Sequence, residues 1–185
     1  MQDETRLKVT LRGIAPLMFD RYAGDNNTSL AVEQKMYLDD DQHLTIPVLN
    51  IYSMLIAENT KSVAKLYYGK KWRDVAMGVA GYVSIEPYEI LISDETGPIR
   101  WTGDWTDKLV VHRSVARLLK GIPNPKERPM LRLPWQISFD LTYRQNRMIS
   151  ETGLRRTFDE AGTIGLGTFR PQFGRFVVGE WRVQD

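Results

Sequence analysis

Gln136-Ile137-Ser138-Phe139-Asp140-Leu141-Thr142-Tyr143 alternates apolar and polar side chains without a break. Successive strand residues point to opposite sides, so Ile137, Phe139, Leu141 and Tyr143 share one face of a half-buried strand. Downstream, Ser150 can cap a helix whose first turn carries Glu151, a charge that complements the helix dipole. Leu154, Phe158 and Ala161 supply its apolar side, and Gly162 reads as the residue that ends it. Phe173 to Val183 then reads as a closing strand, with Phe176, Val178 and Trp181 arranged around a bulge at Gly179.

Towards the N-terminus, Leu7, Val9 and Leu11 alternate with Lys8, Thr10 and Arg12, and Gly13 and Pro16 end that strand. The composition of Asp20–Thr28 is that of a loop. Lys35–Leu38 and Leu44–Ile46 flank Asp39-Asp40-Asp41-Gln42-His43 as a small hairpin with an acidic tip. Pro47 opens a helix, and Val48, Ile51, Tyr52, Leu55 and Ile56 keep helical spacing to about Asn59. A second helical stretch follows at Val63–Tyr67, then a basic loop Gly69–Arg73 and a short helix from Asp74 to Val79. Tyr82–Glu86 and Tyr88–Ile92 read as strand on either side of Pro87. Leu109–His112 is a short strand, and the prolines at 123, 125 and 129 mark an irregular connection.

The main elements in order are strand, helix, strands, strand, helix, strand. That is the β-α-β-β-α-β pattern of a ferredoxin-like α+β fold, an RRM-like antiparallel sheet with helices on one face. Residues 1–185 are expected to form one domain, with insertions near 20–46 and 94–134. The sheet's other face is left for water or a partner.

Composition narrows the chemistry. The 185 residues are 42% hydrophobic and 26% charged, an ordinary soluble balance. A domain of this size buries about 70% of its unfolded surface and needs no covalent staple. Cysteine is absent, which excludes disulfides, thiolate metal sites and a cysteine nucleophile, and fits a reducing compartment. Two histidines, His43 and His112, make a multi-histidine metal centre an unexpected feature. No apolar run approaches the ~20 residues of a membrane helix, and the polar, acidic Met1–Thr5 does not resemble a secretory signal. No cofactor and no membrane contact are expected, and the expected location is the cytoplasm of a bacterial host.

The net charge of +2 conceals an asymmetry. Val111–Arg182 holds 13 Lys/Arg and 6 Asp/Glu, a net of +7, and the remainder carries −5. Arginine predominates in the basic part, the residue suited to planar contacts with phosphate or carboxylate. Such an imbalance points to nucleic acid or an acidic partner, or to a solvated face spread over several elements. If the segment from Arg113 is helical, Arg113, Arg117 and Lys120 fall on one side. Lys70, Lys71 and Arg73 around Trp72 offer charge beside an indole, or a solvated loop.

The most informative segment is Gly165-Leu166-Gly167-Thr168-Phe169-Arg170-Pro171-Gln172-Phe173-Gly174-Arg175-Phe176. Its glycines allow positive φ and close backbone approach. Its aromatics interleave with arginines, a combination suited to stacking bases and holding phosphates. For Phe173 and Phe176 a core role is the favoured reading, because aromatics in strands more often pack inward. The segment follows a helix and precedes a strand, the reverse of a dinucleotide-binding fingerprint, and it lacks the Gly-Lys-Ser/Thr of a P-loop. Asp39–Asp41 as a cation site, His112 as a base and Ser114 or Ser150 as nucleophile each lack a placed partner, so no catalytic residue is assigned.

This glycine-rich segment, with the opening Leu11-Arg12-Gly13-Ile14-Ala15-Pro16-Leu17-Met18, resembles the RAMP superfamily, the RNA-binding proteins of CRISPR effector complexes. It is also similar to small proteins of phages and mobile elements. The resemblance implies that Gly165, Gly167, Gly174, Arg170 and Arg175 contact a nucleic-acid backbone, with Phe169 nearby, and that copies associate along a strand. The expectation is a non-catalytic protein that binds single-stranded RNA or DNA. The alternative is a phage structural or anti-defence protein whose open sheet face contacts another protein.

Overall fold

The structure is a computed structural model that describes residues 4–25, 27–58, 61–117 and 123–184, with only the backbone given for Ala116, Arg117 and Pro123. The predicted face of Gln136–Tyr143 lies at its centre. Strand β1, Glu4–Gly13, pairs antiparallel with β9, Gln136–Arg144, in a register that sets Leu7 opposite Leu141, Val9 opposite Phe139 and Leu11 opposite Ile137. All six are fully buried. A one-residue slip would turn this whole row outward, so the apolar pattern itself fixes the register.

The sheet grows outward from that pair. On the far side of β1 lies β10, Phe176–Gln184. The register steps from Thr10↔Glu180 to Leu11↔Val178, leaving Gly179 as the extra residue of a bulge, where the sequence places it. On the far side of β9 lie β4, Val83–Glu86, and β5, Glu89–Asp94, with β3, Thr45–Pro47, beyond β5. Helices α1, Val48–Ile56, α2, Val63–Tyr67, α3, Trp72–Tyr82, and α4, Glu151–Ile164, complete an α+β architecture. Phe158 of α4 packs between Phe139 and Trp181, at ring distances of 6.0 and 5.6 Å. Ser150 caps α4 by accepting from Gly153 N at 3.2 Å, as its identity predicts.

A second, smaller sheet joins β2, Leu17–Met18, to a long hairpin of β7, Leu109–Arg117, and β8, Pro123–Leu131. Gly97–Pro98 forms the short β6 against β5. The sequence reading fails here. The segment from Arg113 is strand, not helix, and the proline-rich connection is β8. Proline is tolerated in a strand where its missing N–H faces away from the partner. Pro129 O accepts from Phe19 N at 3.0 Å, so residue 129 and its alternate neighbours 125 and 123 point their backbone groups away from β7. The three prolines therefore remove no β7–β8 hydrogen bond.

Other boundaries shift for local reasons. Helix α1 ends at Ile56, because Ala57 is extended (φ −60°, ψ 140°). Trp72 and Arg73 open α3 and do not belong to a loop, and Asp74 lies in its first turn. Gly162 lies inside α4, and Gly165, at φ 86°, ends the helix. Strand β10 begins at Phe176, three residues later than expected. Leu38 and Leu44 form one bridge around the acidic turn, where Asp39 accepts from His43 N at 2.7 Å.

Two stability measurements follow. Gly162 and Gly81 both lie in helices, where alanine is ordinarily favoured by about 1 kcal/mol. A Cβ at Gly162 would overlap the carbonyl of Phe176, whereas one at Gly81 meets open space. Gly162→Ala should lower stability by about 1–3 kcal/mol and Gly81→Ala should raise it by about 0.5–1 kcal/mol, read from urea midpoints. The second concerns the hydrogen bond from Lys108 that, aided by Thr96, holds the Asp94 carboxyl at about 2. A depressed carboxyl stabilises the fold above its unfolded value of 3.8 and loses that contribution as pH falls towards 2. Asp94→Asn should therefore be less stable than wild type above pH 4, with the gap closing as pH approaches 2.

Candidate nucleic-acid interface

The glycine-rich segment is a folded plug between the two sheets. Leu166 N donates to Gly174 O at 2.9 Å, Gly174 N to Pro16 O at 2.7 Å and Thr168 N to Met18 O at 3.1 Å, while Ile14 N reaches Arg175 O at 2.8 Å. Gly167 and Gly174 both sit at φ 72°. A Cβ at Gly174 would overlap Leu166 O, one at Gly167 would overlap Met18 O, and one at Gly165 would lie 2.6 Å from Phe173 O. The space that glycine leaves free at these three positions is occupied by the protein's own backbone. The backbone at these glycines is thus committed to the protein's own packing.

The segment's side chains point in different directions. Phe176 is core. Phe173 sits edge-on to His112 at 5.5 Å, so His112 packs and does not stand alone. Phe169, in the left-handed region at φ 56°, is 40% exposed and lies under the Arg128 guanidinium at 4.6 Å. Arg170 is half-buried, and that burial pushes its guanidinium below the ordinary arginine value. Arg175 is exposed, and among the described residues no carboxylate pairs with it. It borders a groove of about 490 Å3 with Ile14, Thr163 and the Arg155–Asp159 ion pair.

The remaining predicted cations are dispersed. Arg113 pairs with Glu127 at 2.6 Å. In β7 it alternates with His112 and so sits on the hairpin face opposite the one that meets the loop. Arg117 ends β7, and Lys120 lies outside the described residues. Lys70 and Lys71 occupy a 3-10 turn on the helical layer, and Arg73 lies over the Trp72 ring at 5.3 Å. That turn follows Tyr67, whose hydroxyl meets Thr163 Oγ1 at 2.6 Å, on the wall of the Arg175 groove. Sequence reasoning missed Arg128, which joins β8, Asp20 and Phe169. The alternation of Lys126, Arg128 and Met130 was the available signal, hidden by the neighbouring prolines.

No protein-family model matches this sequence, and no curated protein matches it. Solved structures do. A chain in the cryo-EM structure of the type III-B Cmr-beta bound to cognate target RNA aligns with 97% of this chain at a TM-score of 0.62 and 12% identity. The likeness is one of fold. The alignment covers 60% of that chain, so this protein spans less than two thirds of its length.

The face of the large sheet away from the helices is a mesh of internal pairs. Asp140 binds Arg6 at 2.9 Å and Lys8 at 3.3 Å, and Gln184 at 3.1 Å. Partial burial pushes the Asp140 carboxyl up, but the contacts from Arg6 and Lys8 outweigh it and hold it below the usual carboxylate range. Thr10 meets Ser138 at 2.8 Å and donates to Glu180 at 3.2 Å, and Glu180 also pairs with Arg182. The buried rows of β1 and β9 face the helices, Tyr143 among them. The central strands thus present matched charges rather than aromatic platforms on this face. No helix among the described residues is long and apolar enough to cross a membrane.

Proposed function

We propose that this chain is a RAMP-like domain of ferredoxin-like topology that binds single-stranded RNA or DNA through its phosphates, without sequence preference and without catalysing a reaction. The observation that carries the reading is Arg175: a guanidinium exposed beside a groove, presented by a braced loop and paired with no carboxylate among the described residues. The strand order β10-β1-β9 and then β4 and β5, with α1–α3 after β1 and α4 after β9, supports the topology. The fold likeness to a chain of an RNA-bound assembly supports the ligand class. Phe169 adds exposed aromatic surface on which a base can stack. Self-association along the bound strand belongs to the same proposal.

A protein-contact reading has its own observation. Leu66, Tyr67, Met77 and Tyr82 are exposed on the helical layer, and Met77 and Tyr82 line a groove of about 1020 Å3. Under that reading the partner docks on the helices, since the sheet face is closed by its ion pairs.

Salt titration separates the two. With about five phosphate contacts, the log–log slope of affinity against salt for a labelled single strand should be about −3 to −4. Arg175→Ala and Arg170→Ala should each weaken binding and make the slope shallower by about 0.7. Absence of binding at low salt, or binding insensitive to salt, overturns the nucleic-acid reading. Protein that purifies with no excess absorbance at 260 nm and self-associates supports the protein-contact reading.

A further inference from the structure

A cavity of about 250 Å3 lies between the loop at 20–30 and β8. Its wall brings four cations, Arg21, Lys35, Lys126 and Arg128, against two carboxylates, Asp20 and Asp25, a formal surplus of two positive charges. Neither carboxylate is open to all four. Asp25 is occupied by its own loop, accepting from Thr28 Oγ1 at 2.7 Å, Thr28 N at 2.6 Å and Asn27 N at 2.7 Å. Asp20 takes Arg128 Nε at 2.7 Å. Lys35 gives one hydrogen bond to Glu127 O at 2.7 Å, and an ammonium has two more to give.

Arg128 is the decisive residue. Its side chain is 10% exposed, its plane rests on Phe169 at 4.6 Å, and Asp20 fixes its Nε. Its Nη1 is nevertheless buried and has no hydrogen-bond partner among the described residues. A buried charged donor left unmade is among the costlier defects in a fold. Here it belongs to a side chain clamped on one face and at one nitrogen, in the wall of a cavity that already has excess positive charge. An anion seated in the cavity would offset that surplus and face the cations that line it.

We propose that this cavity binds a phosphate monoester, carried either on the end of a nucleic-acid strand or on a free mononucleotide. A monoester carries about −1.5 to −2 charges and three acceptor oxygens, which suits both the surplus of two and the several donors. A diester inside a strand carries a single charge and fewer free oxygens. The cavity is smaller than the ~300–1,000 Å3 of sites that enclose a whole ligand, so it takes the phosphate and leaves most of its carrier outside. Only the strand-end carrier rests on the nucleic-acid reading. The cavity's preference for a monoester stands on Arg128 and its neighbours.

The test uses the full chain and pairs of oligonucleotides of one sequence, with phosphorylated or hydroxyl ends, alongside inorganic phosphate, AMP and adenosine by calorimetry. A terminal phosphate should raise affinity about tenfold, and millimolar inorganic phosphate should abolish that gain. AMP should bind where adenosine does not. Lys126→Ala should remove the gain while leaving binding of hydroxyl-ended strands unchanged. Arg128→Lys, with folding checked by thermal melting, should also remove the gain from the terminal phosphate. AMP binding more tightly than the phosphorylated strand identifies the free nucleotide as carrier, and the reverse identifies the strand end. If single strands bind with the Arg175-dependent salt slope, yet end phosphorylation has no effect and neither phosphate nor AMP binds, the cavity proposal falls and the nucleic-acid reading stands. If phosphate and AMP bind in a Lys126-dependent way and no oligonucleotide does, the cavity stands and the nucleic-acid reading falls.

Discussion

The carbonyls of Pro16 and Met18 accept hydrogen bonds from the glycine-rich segment, and this backbone seam holds the two sheets in one body. The chain leaves β1 at Gly13, passes Trp135 and enters β2, so one continuous stretch serves both sheets. Gly13 has no room for a Cβ because the Trp135 ring lies against it, and that indole donates to Ala15 O at 2.8 Å. Tight backbone packing of this kind tolerates no side chain at the points of closest approach. The positions of Phe169, Arg170 and Arg175 are consequences of that seam.

The parts of the fold legible in the sequence are those governed by one buried face. Leu7, Val9 and Leu11 in β1, Ile137, Phe139 and Leu141 in β9, and Leu154, Phe158 and Ala161 in α4 each follow a single period, and each is buried. The Gly179 bulge was legible because glycine in a strand interior has few other uses. The β7–β8 hairpin was not, because whether a proline breaks a strand depends on which way its nitrogen points, and only the pairing partner decides that. Trp72 and Arg73 were assigned to a loop because Gly69 and two lysines precede them.

The candidate site was legible in part. The need for glycine at 165, 167 and 174 was visible, but its reason was not: the backbone at Met18 that crowds Gly167 is remote in sequence. Arg175 follows Gly174 in the chain, and its exposure follows from the fold of that loop. Arg128 was hidden because nothing local links it to Asp20 or Phe169. Charge counting alone also overstated the free cations, since Arg6, Arg113, Arg128, Arg144, Arg155 and Arg182 each hold a carboxylate within the protein.

The prolines of β8 have one more effect. Strand β2 covers only the Met130–Leu131 end of β8, so the outer border near Pro125 faces no strand of the small sheet. A border lacking donors there is a poor template for a foreign strand, a common safeguard against unwanted fibre growth. That stretch of the hairpin's outer border therefore offers little for another chain to zip onto.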